Sequence, residues 1–443
     1  MPLCRAGCGV LVNGGSPASQ HGTARPLWDR MATTVIVGSG IIGLSTAYYL
    51  ARQQPASSIH LVDPSTRLFA SASGYAGGFV ARDWFDPRLA ALGALSYEEH
   101  GKLAGEHGGA ERWGYTRCVT VGYEPRSKTR MSSRDGDGEG QGDWLREGTS
   151  RAGVAGGSKS WRGQAPPWLR MREGDAVTVM DGGDGTALVD PLKLCGFLLE
   201  HVKAAGVHVH HPATVLSIHR DVRDELASVT IGYTDSSAET ETPATRLLLC
   251  AGARTPQIMS SLFPLAGSPV RIDPLAGHSL VVRTPGFKLG DESHSVFCTL
   301  RDEGLAPELF ARANGVIYLS GVNTSNTPLS ALATDAQPDE VSLAKLKDIG
   351  RRLIALPPGE KQELEVVRAG LCFRPVTERG VPYVTRLKDE QLGIKTRGGG
   401  EGGVFVAAGH GPWGISLSLG TGKVMAEMMA GRETSADVSG LGI

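Results

Sequence analysis

The chain has 443 residues, with 45 Lys and Arg against 46 Asp and Glu and a formal net charge of −1. No basic surplus points to nucleic acid or an anionic membrane as a partner, and the length suffices for two or three domains with sizeable cores. Seven scattered cysteines (4, 8, 118, 195, 250, 298 and 372) include no C-x-x-C pair, which suggests neither a disulfide framework nor a zinc site and fits reduced thiols inside a cell. No apolar run approaches the roughly 20 residues that span a bilayer.

Residues 1–30 lack a secretory apolar core and carry Arg5, Arg25 and Arg30 against Asp29. They read as an N-terminal extension, with Met31 standing just before the first strand. The expected location is cytoplasmic, with a weak transit peptide and a mitochondrial location as the alternative. The final Leu-Gly-Ile is not a peroxisomal address.

Thr33 to Asp63 organises the chain. Val35, Ile36 and Val37 form a short apolar run of the kind buried on both faces of a parallel sheet. Gly38, Gly40 and Gly43 follow in G-x-G-x-x-G spacing, with Ser39, Ile41 and Ile42 between them, and a helical pattern begins at once. The first glycine permits a tight turn, the second lets backbone approach a pyrophosphate, and the third brings helix and strand together. The helix N-terminus then offers N–H groups and positive dipole to phosphates. Ile59 to Val62 reads as a second strand ending at Asp63, twenty residues after Gly43. A carboxylate there accepts hydrogen bonds from a ribose, which favours FAD or NAD over NADP.

The small-residue loop Ser71 to Phe79, containing Ser73 and Gly77, suits close packing against a flat ligand or a phosphate, or forms an ordinary turn. Pro87 to His107 reads as a helix. Residues 124–165 are polar, glycine-rich and aperiodic, and read as a flexible insertion. Asp190 caps a helix opening at Pro191 that Gly206 ends. Val207 to His211 reads as a strand, followed by a hairpin from Val215 to Ile231. His208 and His210 share a face, but without an acidic or cysteine partner they argue against a metal site.

Leu247 to Cys250 is another buried strand, followed by Gly252. Pro269 to Thr284 and Val296 to Val322 alternate as antiparallel strands do. Asp339 to Leu356 is helical up to Pro357. Val366 to Val384 and Val404 to Ala408 return to strand, and the last helix follows. The nucleotide-binding strands are therefore interrupted by antiparallel segments, a layout that fits a flavoprotein better than a compact nicotinamide dehydrogenase.

The expected fold is α/β, an FAD-binding Rossmann-type domain with an inserted antiparallel-sheet substrate domain. Its parts are an extension (1–30), the FAD-binding domain in three pieces (31–123, 166–265 and 366–431), the insertion (124–165), a mainly substrate-binding piece (266–365) and a tail (432–443).

Four motifs carry a resemblance: Val37-Gly-Ser-Gly-Ile-Ile-Gly43, Leu188-Val-Asp-Pro191, Leu249-Cys-Ala-Gly-Ala253, and Gly409-His-Gly-Pro-Trp-Gly414 with Gly420-Thr-Gly-Lys423. Together they resemble the D-amino-acid-oxidase-type FAD-dependent oxidoreductases, which include glycine and sarcosine oxidases and fungal FAD oxidoreductases. The resemblance covers roughly Thr33 to Gly431 without the insertion. It implies that Gly38 to Gly43 hold the FAD pyrophosphate and that Asp63 holds the ribose. Ser71, Ser73 and Gly77 would lie near flavin and phosphates, Val215 at adenine and Gly252 near the phosphates. Gly409, Gly411, Trp413, Gly414 and Ile415 would lie beneath the flavin ring.

By the same resemblance, Arg374 and His410 are the candidate catalytic residues. Arg374 matches the arginine that grips a substrate carboxylate, the alternative being a structural pairing with Glu378 or a backbone carbonyl. Cys372 falls where one branch attaches its flavin through sulfur, or is simply a small buried residue. His278 stands where the family commonly has glutamine. The activity implied is oxidation of a C–N bond in an amino acid or secondary amine by hydride transfer to flavin N5. The alternatives are oxidation of an alcohol, sugar or secondary-metabolite intermediate, and a non-catalytic flavoprotein scaffold. The expected partner is a small-molecule substrate, with no nucleic acid and no membrane span.

Overall fold

The strand Thr34–Val37 is buried along its whole length, because both of its faces meet apolar layers. Ile36, Leu248 and Phe405 face one core, while Val35, Val37, Leu247, Leu249, Val404 and Val406 face another, the period-two alternation of strand side chains. The computed structural model that places them describes residues 32–126, 161–162, 165–267, 270–288, 290, 292–355, 364–398, 400 and 402–443. The extension at 1–30 and nearly all of the insertion at 124–165 lie outside these.

Six strands form the first sheet, in the order Tyr383–Arg386, Gly403–Ala408, Arg246–Leu249, Thr34–Val37, Ile59–Val62, His208–His210. All neighbours are parallel except the first pair. The helices Ile41–Leu50, Pro191–Ala205 and Ser418–Met429 cover one face through Leu44, Leu198 and Val424. A three-stranded antiparallel meander and the helix Thr255–Leu262 cover the other through Val229 and Met259. Asp190 caps the helix at Pro191 by accepting from the Leu192 and Lys193 N–H groups, and Gly206 ends it at φ 100°.

The second sheet has eight strands, in the order Glu365–Val376, Asp273–Arg283, Val316–Thr324, Glu308–Arg312, His294–Cys298, Val119–Glu124, Ala176–Asp181, Trp161–Arg162. Its neighbours are antiparallel apart from His294–Cys298 against Val119–Glu124. Leu346, Ile349 and Leu353 of the helix Glu340–Leu353 pack on one face, against Leu280, Leu309 and Leu319. That helix stops at Leu353, short of Leu356, because Ile354 leaves it to form a bridge with Leu169.

Three strands from ranges assigned above to the FAD-binding pieces hydrogen-bond in this second sheet: Ala176–Asp181, all but the first residue of Glu365–Val376 and all but the last residue of Val119–Glu124. Alternation in a sequence reports which residues share a face, whereas sheet membership depends on a distant partner. His60, His208 and His210 stack at the edge of the first sheet, and His60 Nδ1 lies 3.0 Å from His210 Nε2. Among the described residues, no group of three or more His, Cys, Asp or Glu is arranged to hold a metal.

Candidate active site

Residues of both sheets line one cavity, and the glycine turn forms part of its wall. Gly38 has φ 111°, and a Cβ there would lie 2.7 Å from the Cys250 carbonyl oxygen, so the turn tolerates only glycine. Gly43 does not line the cavity; its missing Cβ, which would fall 2.0 Å from the Gly38 carbonyl oxygen, brings helix and strand together. Gly38, Gly40, Ile41 and Ile42 line the wall. The Ser39 side chain is buried away from it, while its N–H donates to Asp63 Oδ2 at 3.0 Å.

Asp63 also accepts from the Ser65 N–H through Oδ1 at 3.0 Å, which orients its carboxylate at the cavity wall. Arg254 lines the cavity as well; burial works against its cation and the charge of Asp63 supports it. Ala213 and Thr214 line the wall beside Val215, whose side chain packs in the core. Gly252, at φ 58°, lines the cavity as well.

The loop from Ser71 to Gly78 contributes another part of the wall. Ser73 Oγ accepts from the Ile41 N–H at 3.0 Å, so a hydroxyl sits at the helix N-terminus. Ser71, Ser73 and Gly77 all line the cavity. Two arginines of the second sheet hold this loop. Arg312, 3% exposed, donates through Nη2 to the carbonyls of Gly77 at 2.7 Å and Ala76 at 3.2 Å. Arg368 donates to the Gly74 carbonyl at 2.9 Å and lies over the Tyr75 ring.

Gly409 (φ 87°) and Gly411 (φ 54°) turn the chain from the strand Gly403–Ala408 into a short 3-10 turn. Gly409, Gly411, Gly414 and Ile415 line the cavity. Trp413 instead packs edge-on against Phe85, with centroids 4.9 Å apart, and supports the segment from behind. His100 Nε2 lies 2.9 Å from the Ile415 carbonyl, and Ser96 Oγ donates to the Ser416 carbonyl at 2.7 Å. His410 is buried against Thr421 Oγ1 at 3.2 Å, and burial pushes its pKa down to about 3. A ring held neutral in this way is a weak proton acceptor at neutral pH, and its contact with Thr421 is one of packing.

Arg374 is half-buried at the cavity wall, with Nη1 donating to Asn323 Oδ1 at 2.7 Å and the missing side chain of Gly277 making room for it. Asn323 is neutral, so that bond leaves the charge of Arg374 uncancelled. Glu378, the alternative partner, is not its acceptor. Cys372 also lines the cavity, and burial pushes its thiol up. His278 faces Asp339, with Nε2 2.9 Å from Oδ2, and lies outside the cavity wall. Tyr318, Phe310 and Glu308 complete the lining. No motif marks these three or Arg312; the only trace in the sequence is their alternate spacing along two strands.

The glycine cradle, the open helix N-terminus with Ser73, and the Asp63 carboxylate fit an extended dinucleotide. The family model for FAD dependent oxidoreductases (DAO) matches residues 33–428. The chain belongs to this family. It is an FAD-dependent oxidoreductase, with FAD as its cofactor. Within the family it is similar to a Schizosaccharomyces pombe protein provisionally named as an oxidoreductase, at 27% identity over 91% of this chain and 96% of the relative. D-amino acid dehydrogenase 2 of Pseudomonas aeruginosa is 23% identical over 92% of this chain and 97% of its own. Among solved structures, glycine oxidase from Geobacillus kaustophilus aligns with a TM-score of 0.66 at 20% identity, over 93% of this chain and 98% of that one. Among the described residues, no helix is long and apolar enough to cross a membrane.

Proposed function

We propose that the protein oxidises a C–N bond of an amino acid or secondary amine that carries a carboxylate. The observation that carries this reading is the half-buried Arg374 guanidinium at the cavity wall, held by a neutral amide and still charged. A guanidinium fork suits a carboxylate, and a charge-assisted hydrogen bond there is worth about 1.5–3 kcal/mol. Names of relatives and structural neighbours, which include D-amino acid dehydrogenases and glycine oxidase, support the same class.

Bound FAD supplies the two-electron acceptor of the reaction. Gly38 to Ile42, Ser73 and Asp63 hold it, and Arg374 orients the substrate carboxylate so that the adjacent carbon meets the cofactor. Burial raises the Tyr318 phenol, which therefore stays protonated as a hydrogen-bond donor beside Arg374. Phe310 and Phe373 exclude water there. The working location is the cytoplasm, which fractionation against a mitochondrial marker tests.

The test is an anaerobic visible spectrum of the FAD-loaded protein during addition of amino acids, N-methyl amino acids, neutral amines and polyols. Bleaching by carboxylated amines supports the reading. Bleaching by polyols alone moves the assignment to alcohol oxidation.

A further inference from the structure

The cavity-facing side of the eight-stranded sheet carries its charges in a definite arrangement. Glu308 pairs across strands with Ser320, Phe310 with Tyr318, and Arg312 with Val316, so Glu308, Phe310 and Arg312 share one face. Tyr318 pairs with Val281 and Val281 with Arg368, which puts Arg368 on that face. Arg374 follows Arg368 at an even step along an uninterrupted register and joins it there.

Arg312 and Arg368 direct donors at the carbonyls of the loop. Arg374 and Glu308 are the charged residues of this face that line the cavity. Burial opposes the Arg374 cation, yet Cys372, Tyr318 and Glu308 together hold its guanidinium above the usual range. Burial keeps Cys372 and Tyr318 protonated. Of those three neighbours, Glu308 is the one whose side chain is a carboxylate.

We propose that Glu308 is a specificity-determining residue. Acting with Arg374 on the same cavity-lining face, it selects substrates that carry a cationic group as well as a carboxylate and rejects dicarboxylates. The inference rests on reading Arg374 as the carboxylate site. A zwitterion places opposite charges against an anion and a cation whose own charges sum to zero. A second carboxylate meets like charge where water is scarce, which is costly.

The experiment is a visible difference-spectrum titration of the FAD-loaded protein with glycine, acetate and iminodiacetate, followed by the same series on Glu308→Gln and Arg374→Met. The wild type is expected to bind glycine about tenfold or more tighter than acetate or iminodiacetate. Glu308→Gln should collapse those ratios to within about threefold while acetate still binds. Wild-type protein that binds iminodiacetate as tightly as glycine overturns the proposal with no variant needed. So does a Glu308→Gln protein with unchanged ratios, while loss of all three ligands in Arg374→Met leaves the carboxylate site standing. Unchanged acetate binding in Arg374→Met instead sinks the underlying reading. Should Glu308→Gln lose its flavin band, Glu308→Asp keeps the charge and should keep the preference; loss of the preference in a well-folded Glu308→Asp protein that still binds acetate counts against the charge.

Discussion

Arg312 donates from Nη2 to the Gly77 carbonyl at 2.7 Å, so the eight-stranded sheet holds the loop that walls the FAD cavity. Its Nη1 also lies 3.7 Å from Asp190 Oδ2, at the cap of the helix that follows. Replacing Arg312 with Met leaves buried carbonyls and a carboxylate without this donor. Stability in urea should fall by about 1.5–3 kcal/mol, and FAD should be lost more readily on gel filtration. Arg312→Lys restores charge but not the planar fork, so it should recover only part of the retention. Full retention in the Met variant would remove the loop-holding role.

Asp63 accepts from two backbone N–H groups and lines the cavity. Asp63→Ala removes the acceptor for both and for a ribose hydroxyl. The FAD dissociation constant, followed by flavin fluorescence, should rise about tenfold or more. Asp63→Asn, which keeps one carbonyl oxygen, should fall between the two. An unchanged constant in the Ala variant would contradict the assignment.

His100 and His410 are fully buried, with pKa values lowered to about 4 and about 3. An unfolded chain takes up these protons near the ordinary pKa of about 6.5, before the folded one does. Stability is thus complete above that pH and is lost as the pH falls through 6 and 5 towards 4. Each fully buried ring contributes a slope of about 1.4 kcal/mol per pH unit. Urea midpoints at pH 7, 6 and 5 measure it, and His100→Gln should flatten the decline. Equal slopes in the two proteins would exclude His100 as a source.

Glu99 joins three helices: it accepts from Tyr49 Oη at 2.6 Å and from Lys423 Nζ at 2.9 Å. With the carboxylate about one tenth exposed, Glu99→Ala strands a half-sheltered ammonium and a buried phenol. A loss of about 3–5 kcal/mol is expected. Pairing it with Lys423→Met should cost less than the sum of the two single changes, and a strictly additive pair would refute the coupling.

The glycine turn, the Asp190 cap and the central strands were legible because each depends on local chemistry: a positive φ, a side-chain acceptor, a two-faced apolar run. Arg312, Arg368 and Glu308 were not, because a strand residue shows its face but not what that face will meet. Around Val215 the pattern shows a strand with a buried face, but not that Ala213 and Thr214 just before it line a cavity. His410 stood out as a histidine among glycines, yet burial on Thr421 sets its chemistry, and that environment comes from the distant last helix.

The strand Arg246–Leu249 sits between Thr34–Val37 and Gly403–Ala408, so the first sheet joins residues from nearly opposite ends of the described chain. During synthesis, the nucleotide turn emerges long before the strand that completes its sheet. The cavity walls come together only once Gly403–Ala408 has left the ribosome, and contacts of such separation form slowly. Capture of FAD is therefore a late event in the life of the polypeptide, and a nascent chain arrested before that strand carries the glycine motif without a place to keep the cofactor.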